Sequence, residues 1–313
     1  MAQPLNLVFC GTPLFAVPCL QKLVEAGFSV ALVVTQPDRP KGRGMELTAS
    51  PVKQCALELN LPITQPLKIK QNEEFRGQLE AIKPDAIIVV GYGRIIPQWM
   101  LDLPPLGNIN VHASLLPKYR GAAPIQWAIA QGETVTGVTT MKIDAGLDTG
   151  DILLKAALPI APSDTSETLS PKLAAIGADL LVETLNKIQS IKPQPQDNAK
   201  ATLAPILKKE DGRINFDRSA QEICNRLRGF QPWPGAFTVF REKNLHVWDA
   251  AVNVEKVAAT GELRVENDSL LVGCGSNVLQ LLQVQPEGKK RMPAKDFIHG
   301  YHPKSGEKLG TGN

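Results

Sequence analysis

The chain has 313 residues, enough for about two domains, and its net charge is +3. A hydrophobic content of 43% and a charged content of 21% are ordinary for a globular protein and exclude a disordered tail protein. No stretch approaches the roughly 18 uncharged apolar residues that a membrane span needs, which excludes a membrane protein.

The first half of the chain alternates strand-like and helix-like segments. Ser50 followed by Pro51 is typical of a helix start, and the apolar run 86–90 is typical of a strand buried on both faces. This alternation predicts a doubly wound, mostly parallel, Rossmann-like α/β sheet. The predicted strands are 5–10, 29–35, 86–90, 109–112, 135–141 and 152–158, and the predicted helices are 15–26, 51–59, 72–82 and 124–131.

The pattern changes in the last third. A helix is predicted over 165–189, followed by a polar, proline-bearing linker over 191–207. Ser219 and Glu222 form a capping box that opens a helix to about 227. Short strands at 236–240, 245–250, 261–266, 269–273 and 278–284 predict a small, OB-like β-barrel. The predicted domains are therefore 1–190 and 208–313.

Common nucleotide and metal motifs are missing. Gly11 follows the first strand but lacks the second and third glycines of a dinucleotide fingerprint, and no Walker A loop occurs, so NAD and ATP are poor candidates. The five cysteines are far apart, with no Cys-x-x-Cys pair. They predict buried apolar residues in a reducing compartment and no metal site. The sequence start lacks the features of a signal or transit peptide.

Asn110 and His112 lie two apart on a predicted strand, so both side chains point to the same face. They are at its carboxyl end, where open parallel sheets bind ligands. An amide donor beside a titratable imidazole suits acyl chemistry, since one can stabilise an oxyanion and the other can move a proton. The alternative is an Asn and a His whose hydrogen bonds are satisfied within a loop.

A glycine-rich loop between two strands contains Asp144, Asp148 and Asp151. A carboxylate that reaches His112 would orient the imidazole and raise its basicity. Spacing alone does not decide which of the three does so. Aspartate and glycine are also ordinary turn residues.

Two motifs then identify a family. Segments 111–124 (VHASLLPKYRGAAP) and 146–151 (GLDTGD) resemble the signature of the formyltetrahydrofolate-dependent formyltransferases. Segments 35–44 and 50–53, the turn 230–236 and the C-terminal barrel are similar to the members that act on methionyl-tRNA. The resemblance implies transfer of a formyl group from 10-formyltetrahydrofolate, as co-substrate, to the α-amino group of initiator methionyl-tRNA, without a metal. We expect a monomer, and the missing transit segment favours the bacterial cytoplasm.

The resemblance also implies residue roles. Asn110, His112 and Asp148 would be the catalytic set, with Asp148 holding the imidazole tautomer or assisting the proton transfer. The residues implied for folate binding are Gly91, Tyr92, Gly93, Arg94, Ile95, Ser114, Leu115, Leu116 and Pro117.

Two basic surfaces are candidates for tRNA binding. One is the Pro- and Gly-rich loop 35–44. The alternative is that this loop is only solvated and mobile, but the family similarity favours its Arg43 as a tRNA contact. The other is the barrel, because the surplus of three positive charges lies entirely after Pro205. Trp233, between two prolines, is expected in the core or between domains rather than as a stacking platform. The candidate residues are Arg39, Lys41, Arg43, Lys208, Lys209, Lys289, Lys290 and Arg291.

Three other functions are compatible with parts of the sequence. A related formyltransferase acting on a small amine would share the catalytic set but would not need both basic surfaces. A non-catalytic RNA-binding protein on an inactive α/β scaffold is disfavoured because Asn110 and His112 are both present. A nicotinamide dehydrogenase is disfavoured by the lone Gly11.

Overall fold

The computed structural model describes residues 5–41, 46–254 and 258–310. Within these residues, no helix is both long and apolar enough to cross a membrane. The chain forms two compact units. The first contains the described parts of Met1–Pro124, Val135–Pro159 and Ser170–Pro205, and the second those of Ile125–Thr134, Ile160–Leu169 and Ile206–Asn313.

The first unit is built on a mixed sheet. Its described strands are β1 (Asn6–Gly11), β2 (Ser29–Val34), β5 (Ile63–Thr64), β6 (Ala86–Val90), β7 (Asn108–His112), β8 (Val135–Lys142) and β9 (Ile152–Pro159), and a separate hairpin pairs β3 (Arg39–Lys41) with β4 (Glu46–Thr48). The order in the sheet is β5-β2-β1-β6-β7-β8-β9. Pairing is parallel as far as β7 and antiparallel in the β7–β8 and β8–β9 pairs. The mostly parallel sheet is confirmed.

The described helices are α1 (Val17–Glu25), α2 (Pro51–Glu58), α3 (Glu73–Ile82), α4 (Gln98–Leu101), α5 (Pro124–Ala130), α6 (Ser166–Asn186), α7 (Ala220–Gly229) and α8 (Ala294–Tyr301). Ser50 caps α2 as predicted, because its hydroxyl accepts from the Lys53 amide at 3.1 Å. The helix α4 and the strand β5 are short, and no sequence pattern predicted them. Segments of so few residues show no hydrophobic periodicity, so sequence patterns cannot locate them. Their positions depend on contacts with neighbouring strands of the sheet.

Both faces of the central strands are buried. Val8 of β1 packs in one cluster with Phe75 and Leu79 of α3 and Met100 of α4. The alternate residues of β1, Leu7 and Phe9, point to the opposite face and are fully buried too. This two-sided burial explains why the central strands read as continuous apolar runs.

The segment predicted as a linker, 191–207, belongs to the first unit up to Pro205. Gln194 forms an antiparallel bridge with Ile152, and the Ala204 amide donates to the Arg120 carbonyl at 2.7 Å. The polar composition of this segment indicated its surface position but not these backbone contacts.

The second unit contains an antiparallel sheet that closes on itself. Its strands are β10 (Ala236–Phe240), β11 (Lys243–Asn253), β12 (Leu263–Glu266), β13 (Ser269–Gly273), β14 (Val278–Pro286) and β15 (Met292–Pro293). The order is β10-β11-β14-β13-β12, with β15 on β14. Near the chain end, the Leu263 amide of β12 donates to the Glu307 carbonyl at 2.7 Å, and the Gly310 amide donates to the Val239 carbonyl of β10 at 3.0 Å. Segment 306–310 thus bonds to both outer strands and completes the barrel.

All five cysteines are buried free thiols. Burial raises the pKa of Cys224 and Cys274 to about 11, so both stay protonated and apolar at neutral pH. Their predicted place in the core is confirmed.

We expect Gly137→Ala to destabilise the first unit, and Gly77→Ala to stabilise it. A Cβ at Gly137, in β8, would lie 2.1 Å from the Ala156 carbonyl oxygen, a backbone atom that cannot move aside. Overpacking of this kind costs about 1–3 kcal/mol. A Cβ at Gly77, inside α3, meets nothing within 4 Å, so alanine should gain about 0.5–1 kcal/mol from lower chain entropy. Urea unfolding curves measure the change in the free energy of unfolding of each variant, and equal changes would contradict the prediction.

Candidate active site

The candidate site lies at the carboxyl edge of the parallel strands. The strands β6 and β7 pair in parallel, with Val89 opposite Asn110. The loop after β6 and the loop after β7 therefore leave the sheet at the same edge. His112 is the last residue of β7, and Asn110 precedes it on the same face. The structure thus places both residues at the edge where the sequence predicted them.

The imidazole of His112 is held by a backbone carbonyl. Only 6% of the side chain is exposed, and its Nε2 lies 2.9 Å from the carbonyl oxygen of Tyr119. Because a carbonyl oxygen can only accept, we assign the ring hydrogen of the neutral imidazole to Nε2. Nδ1 is then the unprotonated nitrogen. Tyr119, rather than a carboxylate, sets the tautomer, and Nδ1 is the atom that can take up a proton.

Asp148 faces this nitrogen. Its Oδ2 lies 3.7 Å from His112 Nδ1, and the same oxygen accepts from the Gly121 amide at 2.8 Å. With φ of 51°, Asp148 is in the left-handed region, which aspartate tolerates better than most residues. Asp144, by contrast, accepts from the amide of Gly146 in its own loop. Asp148 is therefore the carboxylate placed to stabilise an imidazolium at His112.

Asn110 completes the group. Its Nδ2 donates a long hydrogen bond of 3.5 Å to Asp148 Oδ1. An amide nitrogen has two hydrogens, so the same group has a second N–H to offer to a substrate oxygen. The site thus combines an amide donor, an acceptor nitrogen and a carboxylate within hydrogen-bonding distance or slightly beyond it, as general acid–base chemistry requires.

A glycine is required where the loop after β7 meets Asp148. Gly121 has φ of 120°, and a Cβ there would lie 2.7 Å from the Ala204 carbonyl oxygen. The absence of a side chain therefore allows the backbone amide to approach Asp148 and the 191–205 segment together.

Gln196 fixes the loop that contains Asp148. Its Nε2 donates to the carbonyls of Asp148 at 2.9 Å and Gly150 at 2.7 Å. Its Oε1 accepts from Arg120, at 3.1 Å from Nε and 2.8 Å from Nη2. Arg120 is buried, and its Nη2 also donates to Asn198 at 2.8 Å. Gln196 is not among the residues that the sequence predicted for the site, because it lies in a segment with the composition of a linker.

The residues expected to bind folate lie in the two loops at this edge. The Tyr92 side chain is only 1% exposed, whereas 91% of Ile95 is exposed. Three buried atoms here have no hydrogen-bond partner among the described residues: Tyr92 Oη, Arg94 Nε and Gln36 Oε1. Burial raises the pKa of Tyr92, so its hydroxyl stays protonated. Gly91 and Gly93 are exposed, Arg94 is half-buried, Ser114 and Leu116 are buried, and Leu115 and Pro117 are half-buried.

The basic candidates divide between the two units. In the first, Arg39 is exposed on β3, but Arg43 and the side chain of Lys41 lie outside the described residues. In the second, all five candidates are exposed: Lys208, Lys209, Lys289, Lys290 and Arg291. Across the described ranges, no three His, Cys, Asp or Glu side chains group closely enough to hold a metal ion.

Family models match most of the chain. Residues 5–185 match the family described as "Formyl transferase", and residues 206–302 match "Formyl transferase, C-terminal domain". The chain belongs to the formyl transferase family.

Curated relatives match over almost the full length of this formyl transferase. A protein of Koribacter versatilis named methionyl-tRNA formyltransferase is 71% identical over 310 residues, covering 97% of this chain and 98% of the relative. A protein of Solibacter usitatus with the same name is 55% identical over 312 residues, covering 99% of this chain and 100% of the relative.

Solved structures share the fold. The sugar 3N-formyl transferase WlaRD has a TM-score of 0.64 at 19% identity, covering 92% of this chain and 100% of that chain. HypX from Aquifex aeolicus in complex with tetrahydrofolic acid has a TM-score of 0.62 at 16% identity, covering 99% of this chain and 51% of that chain. At such low identity these two show the architecture alone.

Proposed function

We propose that this formyl transferase moves the formyl group of 10-formyltetrahydrofolate to the α-amino group of initiator methionyl-tRNA. The observation that carries the proposal is the near full-length similarity to proteins named methionyl-tRNA formyltransferase, at up to 71% identity. A smaller relative, the phosphoribosylglycinamide formyltransferase of Bacillus halodurans, covers only 59% of this chain, with a TM-score of 0.50. The proposed location is the bacterial cytoplasm, and a monomer stays a prediction.

The geometry accounts for the chemistry. The nucleophile is an α-amine with an ordinary pKa of about 7.7–8.0, so much of it is uncharged near neutral pH without activation. As it attacks the formyl carbon, negative charge grows on the formyl oxygen and the amine must lose a proton. The bond from the formyl carbon to the donor nitrogen must then break, and that nitrogen must take up a proton so that tetrahydrofolate can leave. The second N–H of Asn110 would donate to that oxygen, and His112 Nδ1 would accept the proton. Asp148, 3.7 Å from Nδ1, would then face an imidazolium whose other hydrogen stays on Nε2 and is donated to the Tyr119 carbonyl, until the proton on Nδ1 passes to the departing nitrogen.

The donor would bind against the loops that follow β6 and β7. Supporting this are the buried atoms of Tyr92, Arg94 and Gln36 that have no hydrogen-bond partner within the described part of the chain, since a pterin ring is rich in complementary donors and acceptors. Those residues would hold and orient the folate. The formyl group itself is supplied by the bound donor.

The direct test is a formyl-transfer assay with radiolabelled methionyl-tRNA and 10-formyltetrahydrofolate. We expect acid-stable formyl-methionine that depends on the tRNA, and none with free methionine. Arg43→Ala should reduce product formation, as the family similarity favours Arg43 for tRNA contact. Product from glycinamide ribonucleotide or an amino sugar nucleotide, with none from methionyl-tRNA, would overturn the proposal in favour of a small-amine acceptor.

Replacing Gln196 with glutamate should lower kcat by about tenfold and leave KM nearly unchanged. Glutamate can still pair with Arg120, but it cannot donate to the carbonyls of Asp148 and Gly150. Both bonds are partly buried. Leaving the carbonyls unpaired costs up to about 1–3 kcal/mol, the range for fully buried groups, so the Asp148 loop should shift. Gln194→Ala is the control, because this neighbour contacts Ile152 through its backbone and its side chain is exposed. A rise in KM alone would show that Gln196 does not position Asp148.

Binding of tRNA should weaken as salt concentration rises, because phosphate contacts release counterions. Replacing Lys290 with glutamine should reduce the slope of log affinity against log salt by about 1. The control is Lys187→Gln, an exposed lysine immediately after α6 that pairs with Glu183 at 2.7 Å. Filter binding between about 50 and 200 mM salt measures both slopes. Equal slopes for the two variants would exclude Lys290 from the phosphate contacts.

A further inference from the structure

An aromatic surface on the barrel lies outside its hydrophobic core cluster. Trp233, expected in the core or between domains, is 56% exposed instead. It lines an open groove of about 410 Å³ together with His246 and Trp248 of β11. We call these three residues the aromatic face. Trp233 is exposed, and His246 and Trp248 are half-buried. Large aromatic rings are usually buried, so a group of rings that includes an exposed tryptophan is typical of a binding surface.

Two rings of the aromatic face, those of His246 and Trp248, are held in fixed orientations. His246 and Trp248 lie two apart on β11, with ring centroids 6.4 Å apart and planes inclined by 27°. The indole Nε1 of Trp248 donates to Gln285 on β14 at 2.9 Å, and the Gln285 amide donates to the Lys289 carbonyl at 2.8 Å. Ordered rings bind with a smaller entropy loss than mobile ones. The face is therefore prepared for a flat ligand.

Cations adjoin one side of the groove. The guanidinium of Arg291 lies 5.3 Å from the centroid of the Trp248 ring. Lys289 and Lys290, which immediately precede it, are exposed. Of the described residues that line the groove, Glu287 is the one carboxylate, and it accepts from the Asn244 amide at 3.0 Å. The balance of charge favours an anionic ligand.

His246 contributes a ring rather than a charge. Burial, together with the positive charge of Lys209, lowers the pKa of His246, so the imidazole is uncharged at neutral pH. A neutral ring stacks without the hydration that a cation retains. Flat rings flanked by cations are the combination that binds single-stranded nucleic acids, because every base has a π-face and every linkage a phosphate.

We propose that the aromatic face binds unpaired bases of RNA, with Trp233 as the stacking platform and Lys289, Lys290 and Arg291 on the adjoining phosphates. The inference rests on the proposed function, in which methionyl-tRNA is the RNA, and it adds a base-stacking contact to it. A proline-rich peptide also suits tryptophan-lined grooves. It would leave the flanking cations without a role.

The test uses the full chain with Trp233→Ala and Trp233→Phe, and the control Val254→Ala, another exposed apolar residue of the barrel. The probes are a ten-residue oligoadenylate and an abasic chain with the same number of phosphates. Tryptophan fluorescence quenching gives each affinity, and urea unfolding verifies that each variant is folded. Steady-state formyl transfer gives KM for methionyl-tRNA and kcat.

We expect Trp233→Ala to weaken oligoadenylate binding by about tenfold, in line with base–aromatic stacking. Trp233→Phe should stay within about threefold of the wild type, since it keeps a ring. Binding of the abasic chain should not change. KM for methionyl-tRNA should rise with kcat unaltered, and Val254→Ala should match the wild type throughout.

Three results would overturn the proposal. They are an unchanged oligoadenylate affinity in Trp233→Ala, an equal loss on the abasic chain, or binding of a proline-rich decapeptide by a wild-type chain that does not bind oligoadenylate. If transfer to methionyl-tRNA occurs and Trp233→Ala changes neither the KM for methionyl-tRNA nor the affinity for oligoadenylate, the proposal for the aromatic face is wrong and the proposed function stands. If no transfer occurs but oligoadenylate binding still depends on Trp233, the proposed function fails and the aromatic face stands.

Discussion

Replacing either Asn110 or His112 with alanine should lower kcat for formyl transfer by about 10²–10³-fold, with little change in tRNA affinity. Asn110→Ala removes the N–H that would meet the growing negative charge on the formyl oxygen. His112→Ala removes Nδ1, the nitrogen left unprotonated by the bond from Nε2 to Tyr119. Neither residue lies on the candidate tRNA surfaces. Single-turnover rates with saturating methionyl-tRNA, and filter binding of the tRNA, separate the two effects.

The control for this prediction is His299→Ala. His299 lies on α8, is 63% exposed and pairs with Asp268 at 3.4 Å, so its loss should leave kcat within about twofold. Urea unfolding shows whether the Asn110 and His112 variants are folded. Near-normal turnover in a folded variant would remove that residue from the catalytic set.

Replacing Asp148 with asparagine should reduce kcat by about 10²–10⁴-fold, the range over which acid–base groups contribute. The change is almost isosteric, so the bond from the Gly121 amide, 2.8 Å long, can persist. What is lost is the negative charge opposite His112 Nδ1. The new amide would also bring a second donor against Asn110, whose Nδ2 donates to Asp148 Oδ1 at 3.5 Å. Proton uptake by the imidazole should therefore become unfavourable.

Asp144→Asn is the matched control in the same loop. Asp144 is exposed, and it accepts from the Gly146 amide at 3.0 Å and from Thr149 Oγ1 at 2.6 Å. An asparagine oxygen can accept both bonds, because Asx turns form equally well with either residue. Turnover should stay within about twofold of the wild type. A similar loss in both variants would mean that the loop, and not the charge of Asp148, limits the rate.

The two predictions distinguish a proton-transfer role from an anchoring role for Asp148. If the carboxylate mainly anchored Gly121, asparagine would preserve that bond and activity would survive. If it stabilises the imidazolium at His112, activity falls although the backbone is unchanged. The Gln196→Glu variant acts indirectly, since it alters the position of Asp148 and not its charge.

The sequence predicted much of the first unit because its signals are local. Continuous apolar runs such as 86–90 mark strands that are buried on both faces, and Ser50 before Pro51 marks a helix start. The pair Asn110 and His112 was found for a similar reason, since a spacing of two on a strand fixes a shared face. Such patterns depend on neighbouring residues alone.

Other features depended on contacts between distant segments. The hairpin of β3 and β4 lies where the sequence indicated only a Pro- and Gly-rich loop. Segment 306–310, whose sequence carries little pattern, bonds to both outer strands of the barrel. Trp233 was expected to be shielded and is exposed, because flanking prolines do not reveal which surface a side chain faces. The folate and tRNA residues remain predictions.

By itself, the sequence determined the mixed α/β and barrel organisation, the family, and the catalytic candidates Asn110 and His112, because hydrophobic periodicity and short motifs are local properties. Only the tertiary structure decided which of three aspartates faces His112 and which ring nitrogen is free to accept a proton. Those answers depend on contacts between separate parts of the chain. Tyr119 contacts His112, and Gly121 and Gln196 contact Asp148. A hydrogen bond is set by distance and direction, and the chain separation of these residues encodes neither.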